Sequence, residues 1–334
     1  MSTPDDAVID QSFLATLQQD GVIRSTSPRF QLLTGGVSSE IYRVDDGGRT
    51  LVVKRALKKL KVKADWFADV SRNRYEAAFL RYVGTFMPES VPKILGQGDG
   101  YFVMEFLDEG FSNWKVLLKR GTCQVKHARQ AGEVLGCIHA HSFGQPAIAQ
   151  QFASTENFLQ LRVSPYLHRI AEKHPSVAGV IAAEAERLLQ PGSCLIHGDF
   201  SPKNILIAAQ RLVLVDCEVA FYGDPAFDLS FLLCHLLLKG LLHAPEQKGL
   251  DGLARGFLTA YQNHRALDKG QFSELKALVG RLLTMLLLAR VDGKSPVEYL
   301  NEEKQVFTRA FCLHRLQQEN FDLDKLMVDW FDNL

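Results

Sequence analysis

Strand-forming and helix-forming patterns are segregated along this chain, and that segregation limits its fold more than any other feature. In the first third, β-like runs at Arg29–Leu33, Ile41–Val44 and Thr50–Lys54 alternate with turn residues, and Asp45-Asp46-Gly47-Gly48 reads as a hairpin turn. Asp69 to Gly84 carries Tyr75, Phe79 and Tyr82–Val83 at helical spacing, and Lys93–Leu95 and Tyr101–Leu107 form a further strand pair around Gly96–Gly100. Past Asp108 the texture changes. Trp114–Lys119, Lys126–His141 and Val177–Leu189 have helical patterns, one β patch runs from Ile205 to Val215, and nearly everything from Asp224 onward is helical. This is neither βαβ alternation nor an all-β pattern. It predicts an α+β chain with a small β-rich N-terminal lobe, residues 1–107, and a large mainly helical C-terminal lobe, residues 108–334. A length of 334 residues, more than one compact core usually holds, agrees with two lobes.

Composition narrows the partners. Lys plus Arg number 38 and Asp plus Glu 38, so nothing points to nucleic acid or an anionic membrane. The start, MSTPDDAVIDQSF, lacks the basic and apolar regions of a signal peptide. The most apolar run, Leu229 to Leu242, is broken by His235 and Lys239 and is short for a bilayer, which predicts a buried helix. The six cysteines are scattered without a CxxC pair, the usage of free thiols in a reducing cytoplasm. The expectation is a cytoplasmic protein with neither nucleic acid nor membrane as partner.

The segment CLIHGDFSPKNILIAAQRLVLVDCEVAFYGDPAFD, Cys194 to Asp228, holds the chemistry. It contains His197-x-Asp199-x-x-x-x-Asn204, and Asp216 follows twelve residues after Asn204, with β-forming runs between. Phosphoryl transfer asks a protein for little covalent help; it needs an in-line nucleophile and a neutralised triphosphate. Asp199 on a tight loop suits acceptance of a hydroxyl proton. Asn204 and Asp216, each at the edge of a β-run, supply the oxygen ligands that Mg2+ prefers. The plainer alternative is a polar loop whose Asp and Asn serve turns; the ordered set of parts argues against it.

This segment resembles the catalytic core of the aminoglycoside phosphotransferase and choline kinase superfamily, within the protein-kinase-like bilobal fold. The resemblance rests on His197 to Asn204, on Asp216-Cys217-Glu218, and on Gly223-Asp224-Pro225-Ala226-Phe227-Asp228-Leu229. It implies that Asp199 is the catalytic base, that Asn204 and Asp216 hold magnesium, and that Asp228 and His197 are structural supports of the loop. Glu218 stands where many members have a second Asp. The implied activity is transfer of the γ-phosphoryl group of ATP, with Mg2+, to a hydroxyl of a small molecule such as a sugar, amino sugar or amino alcohol.

The nucleotide is then expected in the N-terminal lobe. Thr34-Gly35-Gly36-Val37-Ser38-Ser39 lies between two predicted strands, where the glycine backbone at Gly36 and the Ser38 hydroxyl suit a phosphate. Alternation along Leu51-Val52-Val53-Lys54 points Lys54 and Val52 to one face. The resemblance makes Lys54 the contact to the α- and β-phosphates. A buried lysine needs a carboxylate, and Glu76 on the following helix is the candidate, with Asp69 and Glu40 as rivals. The adenine is expected at the strand exit, bonded by backbone near Glu105 and Leu107, with Met104 lining the pocket.

For the acceptor, two stretches stand out: Asn157 to Arg169, where Arg162, Tyr166 and Arg169 interrupt an apolar pattern, and Arg290 to Tyr299. Arg290 and Asp292 are the candidate acceptor contacts; a helix-capping turn is the equally weighted alternative. Only twelve residues separate Asp216 from Asp228, which leaves little room for a peptide-docking segment. Gly293-Lys294-Ser295 is not a Walker A end, since Leu288 stands where its first glycine belongs. Two other activities share these motifs: a catalytically silent nucleotide-binding regulator, and an enzyme that transfers the AMP part of ATP.

Overall fold

The computed structural model describes residues 9–33, 39–57, 72–108, 110–244 and 250–333. The chain divides into two units: Met1–Phe111 together with Val213–Glu218, and Ser112–Leu212 together with Val219–Leu334.

The first unit is built on a five-stranded antiparallel sheet. Its strands are β1 (Arg29–Leu32), β2 (Ser39–Asp46), β3 (Arg49–Ala56), β4 (Ile94–Gly98) and β5 (Tyr101–Glu105), in the order β1-β2-β3-β5-β4. Asp45 and Asp46 belong to β2, and the β2–β3 turn is only Gly47-Gly48, both at positive φ (60° and 88°). Two consecutive left-handed residues are what a tight hairpin requires, and glycine takes that conformation without a steric penalty. The helix Gln11–Gln19, which the sequence reading passed over, covers one sheet face. Its Phe13 and Leu17 join Phe30, Tyr42, Val44, Leu51, Val53 and Val103 in one core, and the Asp10 side chain caps its start on Ser12. The helix Arg72–Gly84 ends where the spacing predicts.

Asp46 is the polar anchor of this unit. Its side chain is fully buried, accepts hydrogen bonds from the Arg24 and Ser25 amides, and pairs with Arg49 at 2.6 Å. Burial pushes its carboxyl upward, but the Ser25 amide and Arg49 overcome that and hold it at about 2. A carboxylate depressed below its unfolded value adds stability above pH 3.8, and that contribution disappears as pH falls through about 2. Asp46→Asn is therefore expected to lower stability by roughly 1–3 kcal/mol at pH 7. The melting curves of variant and wild type should converge between pH 4 and pH 2; a gap constant across that range would reject the assignment.

The second unit is mainly helical. The apolar helix Ala226–His243 is long enough to cross a membrane, but 83% of it is buried inside the protein. It packs with the helix Lys269–Asp292, which starts at an Asp268/Gln271 capping box. The helix Val125–Ser142 lies against Asp251–Arg265 at close range: a Cβ at Gly132 would stand 2.3 Å from the Phe257 carbonyl oxygen. All six cysteines are free.

Candidate active site

In the sheet unit, both faces of β3 are covered. Leu51 and Val53 enter the core described above, while Val52 and Lys54 face the other way, toward the helix Arg72–Gly84. Lys54 is 1% exposed. Its Nζ lies 2.8 and 2.7 Å from the two Glu76 carboxylate oxygens and 2.7 Å from Asp216 Oδ1. Burial works against the ammonium, yet Asp216 and Glu76 outweigh it and raise Lys54 above its ordinary pKa. The same burial pushes the Glu76 carboxyl up, against the pull of Lys54.

Asp216 differs in two respects from Glu76, the other carboxylate on Lys54. Its side chain is 25% exposed, against 1% for Glu76. Its φ is +63°, a left-handed conformation that costs a non-glycine residue energy and recurs where a side chain must be aimed. Two residues on, Glu218 pairs with the fully buried Arg72 at 3.0 Å, so this carboxylate is bound to a cation of the protein itself.

In the helical unit, the loop after the strand Cys194–Ile196 is tied down from behind by Asp228. Its Oδ2 accepts from the His197 amide at 2.7 Å and its Oδ1 from the Gly198 amide at 2.9 Å. His139 Nε2 lies 3.4 Å from Oδ2, and His139 Nδ1 reaches the Tyr261 hydroxyl at 3.0 Å, so this histidine serves packing. Gly198 has φ +73°, and a Cβ there would meet the Val219 carbonyl oxygen at 2.5 Å. The tight turn needs glycine on both counts. His197 Nδ1 accepts the Asp199 amide at 3.2 Å.

This frame presents the Asp199 carboxylate, 3% exposed as a residue, between two cations. Arg162 Nη2 is 2.8 Å and Lys203 Nζ 2.9 Å from Asp199 Oδ2. Asn204 donates through Nδ2 to the Asp199 carbonyl at 3.0 Å. Arg162 comes from Leu159–His168, a π-helical segment with Pro165 inside it. Proline lacks the N–H that would close an α-helical bond, and π-helical turns concentrate at functional sites. The widened turn lets Arg162 also donate to the Gly198 carbonyl at 2.8 Å.

Comparison with known proteins decides the lineage. The family model described as the phosphotransferase enzyme family (APH) matches residues 29–272. The chain belongs to this phosphotransferase family. A methylthioribose kinase of Pectobacterium atrosepticum is 26% identical over 231 residues, 60% of this chain and 57% of the relative. Another, of Bacillus cereus, is 21% identical over 256 residues, 63% of this chain and 60% of the relative. The chain thus spans less than two thirds of the length of these curated relatives. Among solved structures, an amicoumacin kinase in complex with AMP-PNP, Ca2+ and Ami shares the fold, with TM-score 0.61, 15% identity, and coverage of 95% of this chain and 97% of that one.

The remaining expected site residues fall as follows. Gly36 and Ser38 lie outside the described residues. Met104 pairs with Val52 and Ile94 in the sheet, the Glu105 amide donates to the Lys93 carbonyl at 2.9 Å, and Leu107 lies just past the end of β5. Arg290 contacts the Tyr166 hydroxyl at 3.1 Å and the Ser295 carbonyl. Asp292 is elsewhere engaged. Its buried carboxylate accepts two bonds from Arg309 (2.7 and 2.9 Å), one from Lys173 and one from His174 at 2.9 Å, and these partners hold its pKa well below the usual range despite burial. Sequence reasoning missed Arg72 altogether, and named Arg162 only as part of an acceptor wall. A proline inside a helical pattern beside an arginine in an apolar run was the available signal for the second.

Proposed function

We propose that this chain is a small-molecule kinase that moves the γ-phosphoryl group of ATP to a hydroxyl, with Asp199 as the proton acceptor. The observation that carries this reading is the buried Lys54 ammonium held between Glu76 and Asp216. A lysine at this depth is costly to keep charged, and a triphosphate is the ligand that makes a fixed cation worth keeping. The adenine edge is assigned to the backbone at the neighbouring strand exit, near Glu105 and Leu107, with Met104 beside them; the Glu105 amide itself donates to the Lys93 carbonyl.

In the reaction, the acceptor oxygen bonds to the γ-phosphorus, the bond from that phosphorus to the β–γ bridging oxygen breaks, and ADP leaves. The hydroxyl proton passes to an Asp199 carboxylate oxygen. Asp228 fixes the loop amides so that Asp199 does not turn away, and Arg162 and Lys203 keep its carboxylate oriented. Each of the two residues the motif assigns to a metal has the oxygen chemistry a hard divalent cation takes: Asn204, whose Nδ2 is bound to the Asp199 carbonyl, has an amide oxygen, and Asp216, 25% exposed and paired with Lys54, has a carboxylate. These two residues would hold Mg2+, which when bound neutralises charge on the phosphates. Glu218, engaged by Arg72, is given a bracing role, and so is Asp292, whose oxygens are taken by cations. Arg290 remains the acceptor-side candidate.

The test is ADP formation from ATP and Mg2+ across a panel of sugars, hydroxy acids, amino alcohols and aminoglycosides. Acceptor-dependent ADP is expected. Release of pyrophosphate in place of ADP, with AMP joined to the acceptor, would replace this reading with nucleotidyl transfer; tight nucleotide binding with no stimulation by any acceptor would replace it with a silent regulator.

A further inference from the structure

The helix Ala226–His243 places a lysine where a core residue belongs. Lys239 is 1% exposed, in an otherwise apolar stretch, and its Nζ sits 3.4 Å above the ring of Tyr299. Among the described residues no carboxylate is within ion-pairing distance of it. The one acid nearby, Glu298, is shared by Lys115 at 3.1 Å and Lys119 at 3.5 Å. Burial, with Lys115 adding to it, pushes the Lys239 ammonium down to about 7. Two more donors next to it are buried without a partner: the Tyr299 hydroxyl and Arg290 Nε. Buried donors without acceptors are costly, and such a cluster in a native protein calls for something to bind.

The cluster is joined to Asp199 by direct contacts. Arg290 bonds Tyr166, whose ring lies 5.8 Å from that of Phe231, and Arg162 lies over Phe231 while it holds Asp199. His235, 5.3 Å from Phe231, has Arg290, Lys239, Lys203 and Lys115 as the charged groups acting on it most strongly, all of them basic. Lys203 is the same residue that touches Asp199. The region beside the proposed base is therefore cationic and short of acceptors, the reverse of what a polycationic acceptor needs.

We propose that the acceptor carries an anionic group, a carboxylate or a phosphate ester, which docks on Lys239, Arg290 and the Tyr299 hydroxyl while its alcohol is presented to Asp199. This rests on the kinase reading above and adds the substrate class. Each of the three donors then gains the acceptor it lacks, and the buried ammonium gains its counter-ion.

Matched pairs of acceptors test it: glycerate against glycerol, gluconate against glucose, and ribose 5-phosphate against ribose, with wild type, Lys239→Met and Tyr299→Phe. The acid or phosphate of at least one pair is expected to have the higher kcat/KM, by about tenfold or more. Lys239→Met should raise KM for that anion by about tenfold while changing its kcat, and the KM of the neutral partner, far less. Tyr299→Phe, which keeps the ring under Lys239, should act in the same direction more weakly. The carboxylate and phosphate arms distinguish the two anions. Turnover of neutral or cationic acceptors in preference to anionic ones, or equal loss for both members of a pair in Lys239→Met, overturns the anion site and leaves the kinase reading standing. Absence of ADP formation with every acceptor overturns both.

Discussion

Asp199→Ala is expected to reduce kcat for acceptor phosphorylation by about a thousandfold, the middle of the range for loss of a general base, and to leave the affinity for Mg-ATP within about twofold. The reason is positional. The Asp199 carboxylate lies in a loop whose amides are held by Asp228 and whose turn is enforced by Gly198, so the side chain has little freedom to be replaced by a neighbour. The nucleotide contacts assigned to Lys54 belong to the other unit and do not run through this carboxylate. Asp199→Asn should be nearly as damaging, because the amide keeps the bonding reach but cannot take the proton. Single-turnover and equilibrium nucleotide-binding measurements on both variants would separate chemistry from binding. Wild-type turnover in either variant would remove Asp199 from its role.

A neighbouring substitution sharpens the same point. Arg162 donates to both Asp199 and the Gly198 carbonyl, so its removal frees one side of the carboxylate and one strut of the loop. An effect on kcat larger than on Mg-ATP affinity is the pattern that distinguishes a positioning residue from a phosphate contact.

How far such a site is readable without coordinates depends on whether its parts are local. The two-residue alternation that sets Lys54 opposite Val53 is local, and so is the spacing from His197 to Asn204 between two β-runs; both are visible in the sequence. The segregation of the sheet unit from the helical unit is visible for the same reason, since strand and helix periodicity differ at short range. Contacts between distant residues are not. Arg72 and Glu218 are 146 positions apart, and Asp292 is reached by the neighbours Lys173 and His174 from more than a hundred positions before it and by Arg309 from a separate helix. Asp292 and Arg290 look equally functional as letters; only their partners separate a carboxylate saturated by cations from a guanidinium with an unpaired nitrogen. The π-helical segment that carries Arg162 has Pro165 inside it, and the helix Gln11–Gln19, nine residues long with Phe13 and Leu17 as its buried anchors, is too short to stand out before the sheet it covers is known.

Lys54→Met is expected to weaken Mg-ATP binding by roughly tenfold to a hundredfold, the loss of a hydrogen bond to a charged partner. It should also destabilise the sheet unit in a pH-dependent way. In the wild type, Glu76 is buried against an ammonium 2.7–2.8 Å away. Without that cation, burial acts on the carboxyl unopposed and lifts its folded pKa further above the unfolded value of 4.5. A group whose folded pKa is raised contributes stability below its unfolded pKa and loses it as pH rises through the folded one. The variant should therefore lie close to wild type near pH 5, with Glu76 neutral, and fall behind it progressively above pH 7. Breaking a buried pair in this manner costs about 3–5 kcal/mol when the remaining charge cannot neutralise. Adding Glu76→Gln to Lys54→Met removes the unpaired charge, and should recover most of the melting temperature at pH 8 while nucleotide affinity stays low. That separation is the decisive outcome. If the double variant regained Mg-ATP binding along with its stability, Lys54 would be a brace for the helix Arg72–Gly84 and the phosphate contact would have to be sought on another residue.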